Sequence, residues 1–212
     1  MNIKDVLPCK YCRASTTEFT SEMPVCRDAG RWLYDLHGMV NNKLREQAKS
    51  DPSVISPDPD PTFEEVKQKY ERMRPTVVPG RDFLFAIAVN YPDHPDSEQM
   101  ATQRMFWKRL AETYPFEDLR AIVSAYYQKH PPALSSRRTY MKWVYGLLAK
   151  LSKKVRAPIM SFNGYSQHVA YYKSGCEKPK YRGKTCRRVQ GGGRTKTRDH
   201  KKTHRIAHRN LL

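Results

Sequence analysis

Long apolar runs are absent from this 212-residue chain. No stretch approaches the roughly 18 apolar residues that a membrane-spanning helix requires, and the mean hydropathy is −0.79. Residues 1–8 hold no apolar region of the ~7–15 residues that a secretory leader carries, so the chain is expected in the cytoplasm and not in the secretory pathway. Cysteine is scarce and unevenly placed. Cys9, Cys12 and Cys26 lie near the start, Cys176 and Cys186 near the end, and none falls from 27 to 175. That layout excludes a secreted disulfide scaffold and leaves the thiols for chemistry. Strand-like alternation is scarce too, which points to an all-α chain. Acidic residues are few, 21 against 39 Lys and Arg, for a net charge of +18. More than half of that excess sits in 177–212, where 13 Lys and Arg face only Glu177 and Asp199.

What is present reads as helices. Pro8 precedes Cys9, and a helix can open there and run to about 19, with a break at Met23-Pro24. From about 27 to 49, Trp32, Leu33, Leu36, Val40 and Leu44 recur at helical spacing. Residues 51–61 carry four Asp-Pro or Ser-Pro steps and read as a linker. Thr62 caps the next helix, with Glu65 in the capping-box position. After Pro79-Gly80, an apolar helix at 82–90 ends at Tyr91-Pro92. Longer helices follow at about 97–113, at 116–129, and from Ser135 or Ser136 to about 156. Beyond Pro158 the chain turns polar and aromatic, then basic around Gly191-Gly192-Gly193, and reads as a disordered tail. The expected organisation is two helical blocks, 1–76 and 77–157, followed by a tail at 158–212.

The two blocks share a pattern. Pro8-Cys9-x-x-Cys12 resembles Pro115-Phe116-x-x-Leu119, and Trp32-Leu33-Tyr34-Asp35-Leu36 resembles Trp143-Val144-Tyr145-Gly146-Leu147. In that register Leu148 stands for His37, Ala149 for Gly38, Leu151 for Val40 and Ser152 for Asn41. The copy keeps what packs and loses what reacts, which singles out Cys9, Cys12, His37 and Asn41.

Cys9-Lys10-Tyr11-Cys12 has the two-residue gap that lets a disulfide close into a small ring. A helix N-terminus lowers a thiol pKa, and Lys10 adds positive charge. A lone Cys-x-x-Cys is equally a zinc half-site, but Cys9, Cys12, Cys26 and His37 do not have a familiar finger spacing. No metal is expected, and Cys26 is expected to be a buried free thiol. On a helix His37, Asn41 and Leu44 share one face. Taken singly, Trp32 reads as core and His37 as an exposed helix histidine. Asn41-Asn42 in mid-helix lowers helix propensity, which favours a role beyond packing.

Together these residues resemble the Erv/ALR sulfhydryl oxidases, most closely the forms carried by large DNA viruses. The shared elements are Pro-Cys-x-x-Cys followed by Trp32, His37, Val40, Asn41, Lys43 and Leu44 in register, with 63–70 similar to the family's closing helix. The resemblance covers roughly 4–74. The second block is similar to a catalytically empty domain of the same kind, through Phe83-Leu84-Phe85-Ala86-Ile87-Ala88, Tyr91-Pro92, Phe106-Trp107, Leu110 and Tyr114-Pro115. Gly38 replaces the family's usual Asn, and the structural cysteine pair after the flavin helix is missing. The first block also lacks the family's first helix and most of its second. The expected fold is therefore a four-helix-bundle-like domain, N-terminally incomplete, then a degenerate copy. Truncation is the favoured account; the other is that helices at 82–113 complete the bundle.

The resemblance implies an FAD-dependent thiol oxidase that forms disulfides in protein dithiol substrates. Cys9 would exchange with the substrate, Cys12 would deliver electrons to FAD, and O2 would be reduced to H2O2. Trp32, His37, Val40, Asn41, Lys43 and Leu44 would bind the cofactor, Lys43 with Arg45 meeting the pyrophosphate. Cys176 and Cys186 would form a shuttle disulfide, and a homodimer is implied. The location would be the host cytoplasm or virion if the chain is viral. The alternative is a flavin-free remnant that binds nucleic acid or an acidic surface through 177–212, where the charge pattern is that of a phosphate-binding arm.

Overall fold

The computed structural model of the chain describes residues 3–7, 10–52, 54–73 and 75–169. Among these residues the chain is helical and holds no strand. A single turn, α1 (Ile3–Val6), is followed by α2 (Lys10–Glu22), α3 (Ala29–Ser50) and α4 (Phe63–Arg72). Then come α5 (Arg81–Val89), α6 (Ser97–Thr113), α7 (Glu117–Lys129), α8 (Arg137–Lys154) and α9 (Phe162–Val169). Two compact units result. The first holds 10–73; the second holds 75–169 together with α1. No helix among the described residues is long and apolar enough to cross a membrane.

In the first unit α2 packs on α3. Its Ser and Thr residues are modest helix formers, and their hydroxyls fold back on the helix. Ser15, Thr17 and Thr20 donate to the carbonyls of Tyr11, Arg13 and Thr16 at 2.9, 2.9 and 2.7 Å. Asp28 caps α3 by accepting from the Arg31 amide at 2.9 Å. Trp32 and Leu36 are buried on the side of α3 that faces inward, with Ser15 and Thr16 of α2 also buried. The Thr62–Glu65 capping box opens α4 as its sequence requires. Tyr34 then ties α4 to α3. Its hydroxyl donates to the Pro61 carbonyl at 2.8 Å, and its ring meets Phe63 edge-on at 5.4 Å.

The second unit has the larger core. The residues of α5 from Leu84 to Val89 are all buried, as expected of a helix apolar all round. It packs on α8 and α9, while α6 packs on α7 and α1, and α7 on α8. Phe85, Trp107, Leu119, Val123, Val144 and Leu147 fill the centre. Polar groups inside are paired. The Trp107 indole donates to the Tyr140 hydroxyl, which donates to Gln103 Oε1 at 2.8 Å. Burial pushes the phenols of Tyr140 and Tyr114 well above their ordinary range, so both stay neutral.

Three expectations need correcting. Val6 of α1 is buried in the second core, so the chain's first turn does not belong with the thiol-bearing block. The second block does not end at 157, because α9 buries Tyr165 and Val169 against α5. Cys26 is exposed, not buried. It lies in the connection just before the α3 cap, where its Sγ donates to the Asp28 carbonyl at 3.2 Å.

The units repeat one another in internal geometry. Helices α2 and α7 each have 13 residues. The Trp32 indole donates to the Met23 carbonyl at 2.9 Å, just past the end of α2; the Trp143 indole donates to the His130 carbonyl at 2.8 Å, just past the end of α7. Tyr145 donates to the Met160 carbonyl at 2.8 Å and meets Phe162 edge-on at 5.5 Å, as Tyr34 does with Pro61 and Phe63. These contacts pair Pro61 with Met160, Thr62 with Ser161, and α4 with α9.

Candidate functional site

The proposed site residues fall on α2 and α3. Cys12 is exposed on the first turns of α2. Cys9 lies outside the described residues, as do Cys176, Cys186 and the basic segment 177–212. Trp32 is 2% exposed, and its indole N–H is committed to Met23, so its first role is to join α2 and α3. Val40 and Leu44 are half-buried along α3. Lys43 turns toward α2, where its Nζ donates to Ser15 Oγ at 2.6 Å and stands 5.9 Å from the Phe19 ring centroid.

His37 and Asn41 are brought together one turn apart on α3. Asn41 is buried, and its Nδ2 lies 3.2 Å from His37 Nδ1. The linker reaches back to this pair. Asp60 Oδ1 accepts from Asn41 Nδ2, and Asp60 Oδ2 accepts from both terminal nitrogens of Arg45 at 2.9 Å. Burial pushes the Asp60 carboxyl up, but the hydrogen bonds from Arg45 and Asn41, with the charge of Arg45, outweigh it and hold the group below its usual range. Tyr34, His37, Gly38, Asn42, Asp60 and Val66 line a pocket of about 190 Å³ beside this network.

Sequence reasoning missed Asp60, which read as one of several linker residues before a proline. The available signal was its place directly ahead of the Pro61-Thr62 cap of α4. In the second unit the equivalent stretch is apolar. Leu148, Ser152, Met160 and Tyr165 line a cavity of about 360 Å³, together with Arg81 and His168. Among the described residues no three His, Cys, Asp or Glu side chains converge as a metal site would need.

Residues 82–170 match the model of the Erv1 / Alr family. That stretch, less than half of the 212 residues, coincides with α5–α9 of the second unit; residues 10–73 lie outside the match. Among solved structures, the chain is similar to a double cysteine-to-serine mutant of Erv1 from Saccharomyces cerevisiae, at 19% identity and a TM-score of 0.40 over 54% of this chain and 88% of that one. It is likewise similar to the yeast Erv1 core, at 20% identity and a TM-score of 0.40 over 56% of this chain and 92% of that one. No curated protein matches it.

Proposed function

We propose that the chain is a flavin-linked thiol oxidase whose chemistry belongs to the first unit. The observation that carries this reading is the internal repeat. The family-matched second unit and the first unit use the same Trp–carbonyl and Tyr–carbonyl ties. Where the second unit has Phe116, Leu119, Leu148 and Ser152, the first has Cys9, Cys12, His37 and Asn41. One scaffold thus carries packing residues in one copy and thiols, imidazole and amide in the other.

The donor set fits part of a flavin dinucleotide. His37 offers a flat ring and Asn41 an amide, and Arg45 is a cation at the edge of the same network. A pocket of about 190 Å³ accommodates one ring system, since sites for whole drug-sized ligands run to ~300–1,000 Å³. Cys9 and Cys12 would cycle between disulfide and dithiol. A substrate thiolate attacks one sulfur of the disulfide, a mixed disulfide forms, and the second substrate thiol resolves it. The substrate leaves oxidised by two electrons, and Cys9 and Cys12 are left reduced. Bound FAD would supply the two-electron acceptor that regenerates the disulfide and passes the electrons to O2 as H2O2.

The test is the visible spectrum of the purified full chain with FAD in excess, paired with oxidation of a protein dithiol. A retained flavin band, and H2O2 release that Cys12→Ser abolishes, are expected. A protein that stays colourless and oxidises nothing would replace this reading with the flavin-free one, in which the chain acts through its basic 177–212 segment.

A further inference from the structure

Arg45, Asp60, Asn41 and His37 form an ordered run of hydrogen bonds in the first unit. Arg45 holds Asp60 Oδ2 with both terminal nitrogens and also donates to the Asp58 carbonyl at 2.8 Å. Asp60 Oδ1 accepts from Asn41 Nδ2, and that same nitrogen faces His37 Nδ1 at 3.2 Å. A carboxylate only accepts, so it fixes which end of the Asn41 amide points its way. An amide nitrogen only donates, so His37 Nδ1 must be the acceptor and the ring proton must sit on Nε2. We propose that Asp60 is a positioning residue: it orients the Asn41 amide and thereby holds His37 as the neutral Nε2–H tautomer at the wall of the pocket.

The second unit supplies independent support. The tie from Tyr145 to Met160 matches that from Tyr34 to Pro61, so Ile159 stands where Asp60 stands. His37, Asn41 and Asp60 therefore become Leu148, Ser152 and Ile159 together. A buried amide such as that of Asn41 is stable only when its partners are supplied, so the amide and the groups that satisfy it come and go as a set. A linker anchor alone would need only the Arg45–Asp60 pair and the Asp58 carbonyl, and would have no reason to vanish with His37.

The consequence for the cofactor rests on the flavin reading above; the tautomer does not. A neutral imidazole with its proton on Nε2 presents a flat face and one donor, which suits an acceptor atom on the edge of a heteroaromatic ring. Fixing the tautomer in advance spares the ligand from reorganising the site.

The test is the long-range proton–nitrogen correlation spectrum of the His37 imidazole in the full ¹⁵N-labelled chain, at a pH where the ring is neutral and with His37→Gln for assignment. The wild type should show the Nε2–H pattern. Asp60→Ala should lose it, and Asn41→Ala should lose it while leaving the Arg45–Asp60 pair intact; the double variant should go no further than either. Asn41→Ala also carries the test if Asp60→Ala fails to fold. FAD affinity, read by flavin fluorescence, should fall about tenfold in Asp60→Ala, the size of one lost hydrogen bond. Retention of the Nε2–H pattern in both variants, or a wild-type proton on Nδ1, overturns the proposal, as does tighter FAD binding by Asp60→Ala. Failure of the flavin reading looks different: no variant binds FAD, yet the tautomer still answers to Asp60.

Discussion

The Trp32 indole N–H donates to the carbonyl of Met23 at 2.9 Å, across the turn between α2 and α3. The donor side chain is 2% exposed, and the bond is partly shielded from water. Trp32→Phe removes the donor, leaves the carbonyl short of a partner and opens a small void. The expected loss is about 1–3 kcal/mol from the first unit. Amide hydrogen exchange along 29–50 should accelerate accordingly, while exchange in α5 to α8 stays at its wild-type rate. Unchanged exchange in α3 would mean that the Trp32–Met23 tie does not hold the two helices together.

Much of this fold was legible in the sequence because it follows from local rules. The Thr62–Glu65 box, the linker with its four X-Pro steps and the start of α6 at Ser97 each depend on residues a few positions apart. Helix α9 was not legible. Its eight residues include Gly164 and two residues with short polar side chains, and tertiary contacts hold it: burial of Tyr165 and Val169 against α5 and the ring contact of Phe162 with Tyr145. The site divided along the same line. The one-turn spacing of His37 and Asn41 was readable on a helix, whereas Asp60 reaches them from 19 residues beyond Asn41, through a fold-back that no periodicity announces.

Gly146 of α8 lies under the Tyr126 hydroxyl. A Cβ built there would stand 2.6 Å from that oxygen, which itself donates to the Trp143 carbonyl at 3.2 Å. Ala is the better helix former by ~1 kcal/mol, but the clash forces the phenol off its partner at a cost of ~1–3 kcal/mol. Gly146→Ala should therefore destabilise the second unit. In a Tyr126→Phe background the obstructing oxygen is gone, and the same change should become stabilising by ~0.5–1 kcal/mol. A double-mutant cycle from urea unfolding reads the reversal directly; additive effects would refute the steric account.

Arg156 closes α8 in the left-handed region, at φ 54°. It occupies the position after the cap in a motif where the Ala157 amide donates to the Ser152 carbonyl at 2.9 Å. That conformation costs a side-chain-bearing residue ~1–2 kcal/mol, and glycine adopts it without penalty. Arg156 is exposed, so little packing is lost on truncation. Allowing for the greater freedom of glycine in the unfolded chain, Arg156→Gly should gain ~0.5–1 kcal/mol. The measurement is the thermal midpoint of the full chain; a fall would show that the guanidinium contributes more than the backbone strain removes.

Acidification should loosen the first unit at its linker. The Asp60 carboxyl, raised by burial but lowered further by the Arg45 and Asn41 hydrogen bonds, ends below its usual value of 3.8. A group depressed on folding adds stability that is fully present above its unfolded pKa and disappears as pH falls through the folded one. The loss should begin as pH drops toward the usual carboxylate value and finish below the depressed one. Glu65 shifts the same way through the Thr62 amide and hydroxyl, so the α4 cap weakens over the same window. Asp60→Asn removes the first contribution and leaves the second, so its urea midpoint should depend less steeply on pH than that of the wild type. The difference should be on the order of 1 kcal/mol or less, because the pair is partly open to solvent. Parallel pH profiles for the two proteins would mean that Asp60 gains nothing from Arg45 and Asn41 in the folded chain.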